Sequence, residues 1–188
     1  MRFARHAAAL AWALAATALH AQGMRLESPD MSSGKALPDK FAFSGFGCTG
    51  ENVSPALSWK NAPKGTQSFA LLVHDPDAPT GGAGFWHWAA VNIPAATTSL
   101  PQGAGATDGS KMPAGTRQIA SDFGAPGYGG PCPPVGDKPH RYNFTLYALK
   151  VDKLDLPPTA TASLTGFMVN ANAIGKATMT PIYRRHGK

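Results

Sequence analysis

The segment Ser68-Phe69-Ala70-Leu71-Leu72-Val73-His74 restricts the fold more than any other. Read with a period of two, it is apolar on both faces: Phe69, Leu71 and Val73 on one, Ala70 and Leu72 on the other. A strand without a polar face belongs in the middle of a sheet. Two more strands have the same strength. One runs from Phe85 to Ile93 and is rich in aromatics. The other runs from His140 to Leu149, with His140, Tyr142, Phe144, Leu146 and Ala148 on one face and Arg141, Asn143, Thr145 and Tyr147 on the other.

Composition supports a sheet protein with many turns. The chain holds 21 Gly and 17 Pro, and few of its segments have helical periodicity. An apolar fraction of 43% against 15% charged residues argues against disorder. Shorter strands are expected in Met24–Pro38, at Pro55–Trp59 and over Lys176–Tyr183. The spacing predicts one convincing helix over Thr159–Ile174, capped by Thr161 or Ser163 and stopped by Gly175. Its inward face would be Leu164, Phe167, Met168 and Ala171. Two long connections, Pro94–Gly115 and Asp122–Pro139, have little periodic pattern, and loops of that length are more often functional than idle. No repeat, heptad run or linker interrupts residues 22–188, which are expected to form one domain.

Residues 1–21 differ. Arg2 and Arg5 precede an apolar run from Ala7 to Ala16, and small residues follow up to Ala21. This is the pattern of a secretory signal peptide, with cleavage expected after Ala21 and a periplasmic or secreted destination. The apolar run is shorter than the ~20 residues of a membrane span, so stable membrane insertion is not expected. Removal of Arg2 and Arg5, with no acid, would lower the formal charge of +6 by two. The longest basic cluster is the Arg184-Arg185 pair, so a nucleic-acid partner has little support.

Cys48 and Cys132 are the two cysteines, and an even count in an exported chain suggests a disulfide; two separate thiols are the alternative. No CxxC or His/Cys cluster points to a metal, and no motif implies a cofactor. Asp122-Phe123-Gly124 matches a kinase magnesium motif, but no glycine-rich loop, paired lysine or catalytic loop accompanies it. Asn52-Val53-Ser54 and Asn143-Phe144-Thr145 match the glycosylation pattern, the second inside a core strand.

The chemistry is expected where apolar rows end in polar groups. The row Phe69, Leu71, Val73 ends at Asp75. The row Val91, Ala89 leads back to His87, and the row Ala148, Leu146, Phe144 leads back to Tyr142 and His140. If these strands are neighbours, the four polar groups meet at one mouth of a sheet. Two imidazoles and a phenol supply donors for a phosphate or carboxylate oxygen, and a carboxylate beside them orients an imidazole. Backbone amides of the Gly129–Cys132 loop could add donors, although Pro131 has none.

Asp75-Pro76-Asp77-Ala78-Pro79, Trp86-His87-Trp88 with Asn92, Gly130-Pro131-Cys132-Pro133-Pro134 and His140-Arg141-Tyr142, in that order, resemble the phosphatidylethanolamine-binding protein family, also called Raf kinase inhibitor-like. The stretch from Cys48 to Trp59 is similar to its bacterial branch, and the resemblance extends from about Met24 to the C-terminus. It implies a mainly β, sandwich-like fold with a large central antiparallel sheet, a smaller second sheet and a C-terminal helix. It also implies a small cavity for anions, including phosphate groups of phospholipid heads or nucleotides. Carried over by motif, the ligand residues are Asp75, His87, His140 and Tyr142, with Pro79, Gly130 and Cys132 on the rim and Asp77 and Arg141 in support. Trp86 stands where many eukaryotic members carry a second histidine.

Three functions compete. A binding protein for a small phosphate-containing ligand comes first. An inhibitor that docks on a target protein, a protease or kinase, comes second. A hydrolase using Asp75 with His87 or His140 comes third, and it lacks an activated nucleophile. The resemblance allows a homodimer, since bacterial relatives can be dimers, but no stretch here identifies an interface.

Overall fold

A computed structural model describes residues 23–185; the expected signal peptide at 1–21 lies outside them. The strands are β1 (Arg25–Glu27), β2 (Ser44–Gly45), β3 (Cys48–Thr49), β4 (Leu57–Lys60), β5 (Ser68–Asp75) and β6 (Phe85–Pro94). They continue with β7 (Ser99–Leu100), β8 (Arg117–Ile119), β9 (His140–Arg141), β10 (Asn143–Leu149), β11 (Ala173–Met179) and β12 (Ile182–Tyr183), with helix α1 (Ala162–Asn172) before β11.

The doubly apolar strand is central. The five-stranded sheet has the order β11-β10-β5-β6-β8, and every neighbouring pair is antiparallel. Phe69, Leu71 and Val73 of β5 face a core shared with Trp88, Phe144 and Leu146 and with Leu26, Leu57, Trp59 and Leu100 of a smaller sheet, β1-β4-β7. The Trp59 ring meets Phe69 edge-on at 5.4 Å between centroids. Ala70 and Leu72 face a second core with Ala89, Val91, Tyr147 and Leu149, closed by α1 and by Leu154 and Leu156. Burial on both faces is why β5 has no polar face. Among the described residues no helix is long and apolar enough to cross a membrane.

The helix corrects two expectations. Thr161 caps it, its hydroxyl accepting from Leu164 N at 3.1 Å. The buried face, however, is Ala162, Thr165, Gly166 and Val169, while Leu164 and Phe167 point outward. Both faces carry apolar residues, so periodicity did not distinguish them; size did. At Gly166 a Cβ would be in van der Waals contact with the Trp86 ring at 3.5 Å, and the residues the helix buries against the sheet are small. Gly175 does not stop the helix either. It lies inside β11, against Pro63, and α1 passes straight into that strand at Ala173. Two short strands within or next to the long connections, β7 and β8, had no sequence signal.

Candidate functional site

Asp75, His87, His140 and Tyr142 meet at the end of the central sheet. They line a cavity of about 170 Å³ together with Pro79, Phe85, Phe123 and the Cys132–Pro134 rim. That is smaller than the ~300–1,000 Å³ of sites for drug-sized ligands, so the cavity has room only for a small group.

Three of the four residues arrive as their rows foretold. Asp75 ends the β5 row, and His140 and Tyr142 begin the β10 row, beside β5 through pairs such as Phe144 with Val73. The chain breaks between β9 and β10 at Tyr142, whose N–H donates to Pro181 O at 2.9 Å.

His87 takes a different route, which corrects the parity argument. Ala89 and Val91 face the helix-side core, not the cavity. Val73 pairs with Trp88 and His74 pairs with Trp86, so His87 is a surplus residue on β6. This β-bulge turns His87 onto the side of Trp88, while Trp86 stays on the helix side, its ring tilted by 43° against His74 with centroids 4.3 Å apart. Trp86 is therefore absent from the cavity wall, where a second histidine was the point of comparison.

The electrostatics follow from burial. Asp75 is 3% exposed; Oδ1 accepts from Asp77 N at 2.8 Å, and Oδ2 lies 2.8 Å from His140 Nδ1. The other ring nitrogen of His140 faces Asp137 Oδ2 at 3.3 Å. His87 Nδ1 lies 2.7 Å from Gly129 O. A carbonyl only accepts, so Nδ1 carries the proton and donates it. Burial pushes the His87 imidazole down to about 4, against the opposing pull of the Gly129 carbonyl and the Asp75 carboxylate. The Tyr142 phenol is pushed well up, chiefly by burial and further by Asp75, and its Oη has no hydrogen-bond partner among the described residues.

The loop supplies fewer donors than the sequence suggested. Gly129 N donates to His87 O at 2.8 Å, and Gly130 N donates to Asn52 Oδ1 at 2.8 Å. Gly130 does not line the cavity; it is pressed against the Phe41 carbonyl oxygen, where a Cβ would collide. Cys132 does line it and is bonded to Cys48, with Cα atoms 5.9 Å apart. Asp77 and Arg141 form a pair outside the cavity. Arg141 Nε and Nη2 donate to Asp77 Oδ2 and Oδ1 at 2.8 and 2.7 Å, and the guanidinium holds the carboxyl down at about 2. Arg141 therefore supports the turn after β5 and leaves the cavity floor to others.

Sequence reasoning missed four residues. Asn52 grips the rim loop twice, through Gly130 N and through Tyr128 O at 3.2 Å, and so holds Gly129 against His87. Its φ of +55° and its place in a glycosylation pattern were the available signals. Phe123 meets His87 edge-on at 5.4 Å, set there by Asp122, whose Oδ2 accepts from Trp86 N at 2.8 Å. The Asp122-Phe123-Gly124 triplet thus builds a wall. Phe46 sits at the turn between β2 and β3 with φ of +51°, next to Gly47 at +76°, and stands 75% exposed at the cavity mouth. Asp137 completes the set as the outer partner of His140.

Comparison with known proteins bears on the family and the fold. The family model for phosphatidylethanolamine-binding protein matches residues 27–184. The UPF0098 protein YbcL of Escherichia coli is 50% identical over 163 residues, covering 87% of this chain and 88% of its own. YbhB of the same organism is 43% identical over 160 residues, covering 85% and 99%. The crystal structure of YbcL, described as a new member of the mammalian PEBP family, superposes with a TM-score of 0.85 over 87% of this chain and 99% of that one. The putative PEBP homologue CT736 of Chlamydia trachomatis superposes with a TM-score of 0.72 at 29% identity, covering 87% and 98%. The chain belongs to the phosphatidylethanolamine-binding protein family.

Proposed function

We propose that the protein is an exported binding protein whose cavity takes a small phosphate-containing ligand, headgroup-like or nucleotide-like. The observation that carries the reading is the buried Tyr142 hydroxyl, without a partner among the described residues, beside Asp75 and His87 in a headgroup-sized cavity. A buried polar group in that state is satisfied by a ligand or water. Export is supported by the signal pattern at residues 1–21 and by the Cys48–Cys132 bond, which suits an oxidising compartment.

The proposal is binding rather than turnover. The lining residues include one hydroxyl besides Tyr142, that of Thr80, which donates to Gly84 O at 3.0 Å, and the sulfur of Cys132 is in the disulfide. A protein partner docking over the mouth is the second reading, favoured by the exposure of Phe46 there and of Val135, which follows the rim residue Pro134 in the chain. Titration of isotope-labelled protein with O-phosphoethanolamine tests the first: His87 and His140 ring signals should move and saturate. No movement at millimolar ligand rejects it.

A further inference from the structure

A site for anions is usually lined by donors, but the polar side chains of this cavity are mainly acceptors or already engaged. His87 has its one proton on Nδ1, committed to Gly129 O, so Nε2 carries a lone pair. Asp75 only accepts, and its two oxygens keep free lone pairs beyond the bonds from Asp77 N and His140. Both ring nitrogens of His140 already face carboxylates, Asp75 on one side and Asp137 on the other. Pro79, Pro133 and Pro134 have no N–H and Thr80 N donates to Ala78 O at 2.7 Å, so the backbone donors left on the rim are few, those of Phe46, Ala78 and Cys132 among them. Tyr142 keeps its phenolic proton and is the main side-chain donor. Among the described residues no lysine or arginine lines the cavity; the nearby guanidinium of Arg141 is bound to Asp77 outside.

An oxyanion without a proton would therefore meet lone pairs with lone pairs, and would meet a buried carboxylate with like charge. We infer that the cavity accepts an oxyanion ligand only when the ligand brings a proton of its own, and rejects oxyanions that have none. The P–OH of a phosphomonoester monoanion meets this demand: it donates to Asp75 or to His87 Nε2, while its other oxygens accept from Tyr142. An ammonium group on a phosphodiester meets it as well, through N–H. Sulfate and dimethyl phosphate meet it in neither way. This rests on the reading of the cavity as a phosphate site and adds which form of the ligand it selects.

The test is calorimetric titration of the full chain at fixed ionic strength, at pH 6 and pH 8. The probes are methyl phosphate, sulfate, dimethyl phosphate and glycerophosphoethanolamine. Methyl phosphate should bind at pH 6 and weaken by about fifty-fold at pH 8, following loss of the monoanion with a second pKa of about 6. Sulfate and dimethyl phosphate should bind at least thirty-fold more weakly than methyl phosphate at pH 6. Binding of glycerophosphoethanolamine at both pH values would assign the donor to an ammonium headgroup; failure to bind would assign it to the P–OH. Asp75→Asn, which offers an amide donor, should gain affinity for sulfate and flatten the pH dependence. Equal affinity for sulfate and methyl phosphate, or a nitrogen-15 spectrum showing His87 doubly protonated in the methyl phosphate complex, overturns the inference and leaves the phosphate site standing. Absence of binding by every probe overturns both.

Discussion

His140 and Asp75 are joined across 2.8 Å, with both side chains about as buried as the core around them. Removing the imidazole strands a carboxylate inside the protein. His140→Ala should therefore cost about 2–4 kcal/mol in urea unfolding, the loss of a buried, charged hydrogen bond. Asp137→Ala, on the half-exposed side of the same ring, should cost under about 1 kcal/mol. Equal costs for the two would show that the inner contact is not the one that holds the ring.

Stability should fall with acidity in a window set by His87. Its pKa is about 4 in the folded protein against 6.5 for a free imidazole, so between those values the unfolded chain binds a proton that the folded chain does not. Stability therefore declines as pH drops from about 6.5 to about 4 and is unaffected by this group below that, a loss on the order of 3 kcal/mol. Asp77, held at about 2 by Arg141, adds a further loss in the same direction between its ordinary 3.8 and about 2. Thermal unfolding across pH should show the first decline in the native protein and not in His87→Gln.

Asn52 positions the loop that sets the His87 tautomer. Asn52→Gly keeps the positive φ accessible but deletes both side-chain bonds, so it isolates their role. The expected cost is about 1–2 kcal/mol. Nitrogen-15 spectra should show His87 with its proton on Nδ1 in the native protein and a mixture of tautomers in the variant. Asn52→Asp retains the acceptor for Gly130 N and should recover part of the native signature. An unchanged tautomer in Asn52→Gly would mean that Gly129 is held by other contacts.

The Cys48–Cys132 bond closes a separation of 84 residues. The chain-entropy model gives such a closure about 4–5 kcal/mol. Reduction should lower the melting temperature by roughly 10 °C for a chain of this size. Non-reduced peptide mapping should find the two cysteines linked. A melting temperature insensitive to reductant would place the stabilisation elsewhere.

Much of the site was legible because side-chain alternation survives in β5 and β10. Asp75, His140 and Tyr142 follow from that rule alone, and so does the outward direction of Arg141. His87 was expected in the right place for a wrong reason, since a bulge is a long-range pairing event and leaves no mark in local periodicity. The helix face was misjudged because apolar residues surround α1, and the sheet selected the side with Ala162 and Gly166. Asn52, Phe46 and Phe123 come from loops whose partners lie far along the chain. The amides of Gly129 and Gly130 are not free for an anion because they donate to His87 O and Asn52 Oδ1, partners that lie far along the chain.

The surplus residue at position 87 sets the regularity of the sheet against the existence of the cavity. A chain one residue shorter there would pair the cavity end of β5 and β6 without a bulge, leaving only the irregularity between Phe69 and Leu71. It would also lose an imidazole from the wall and keep a core of unchanged depth. Deletions in this strand are therefore expected to be tolerated by folding and rejected by binding. A relative of this protein that lacks the extra residue would keep the scaffold without an imidazole at this place in the cavity wall.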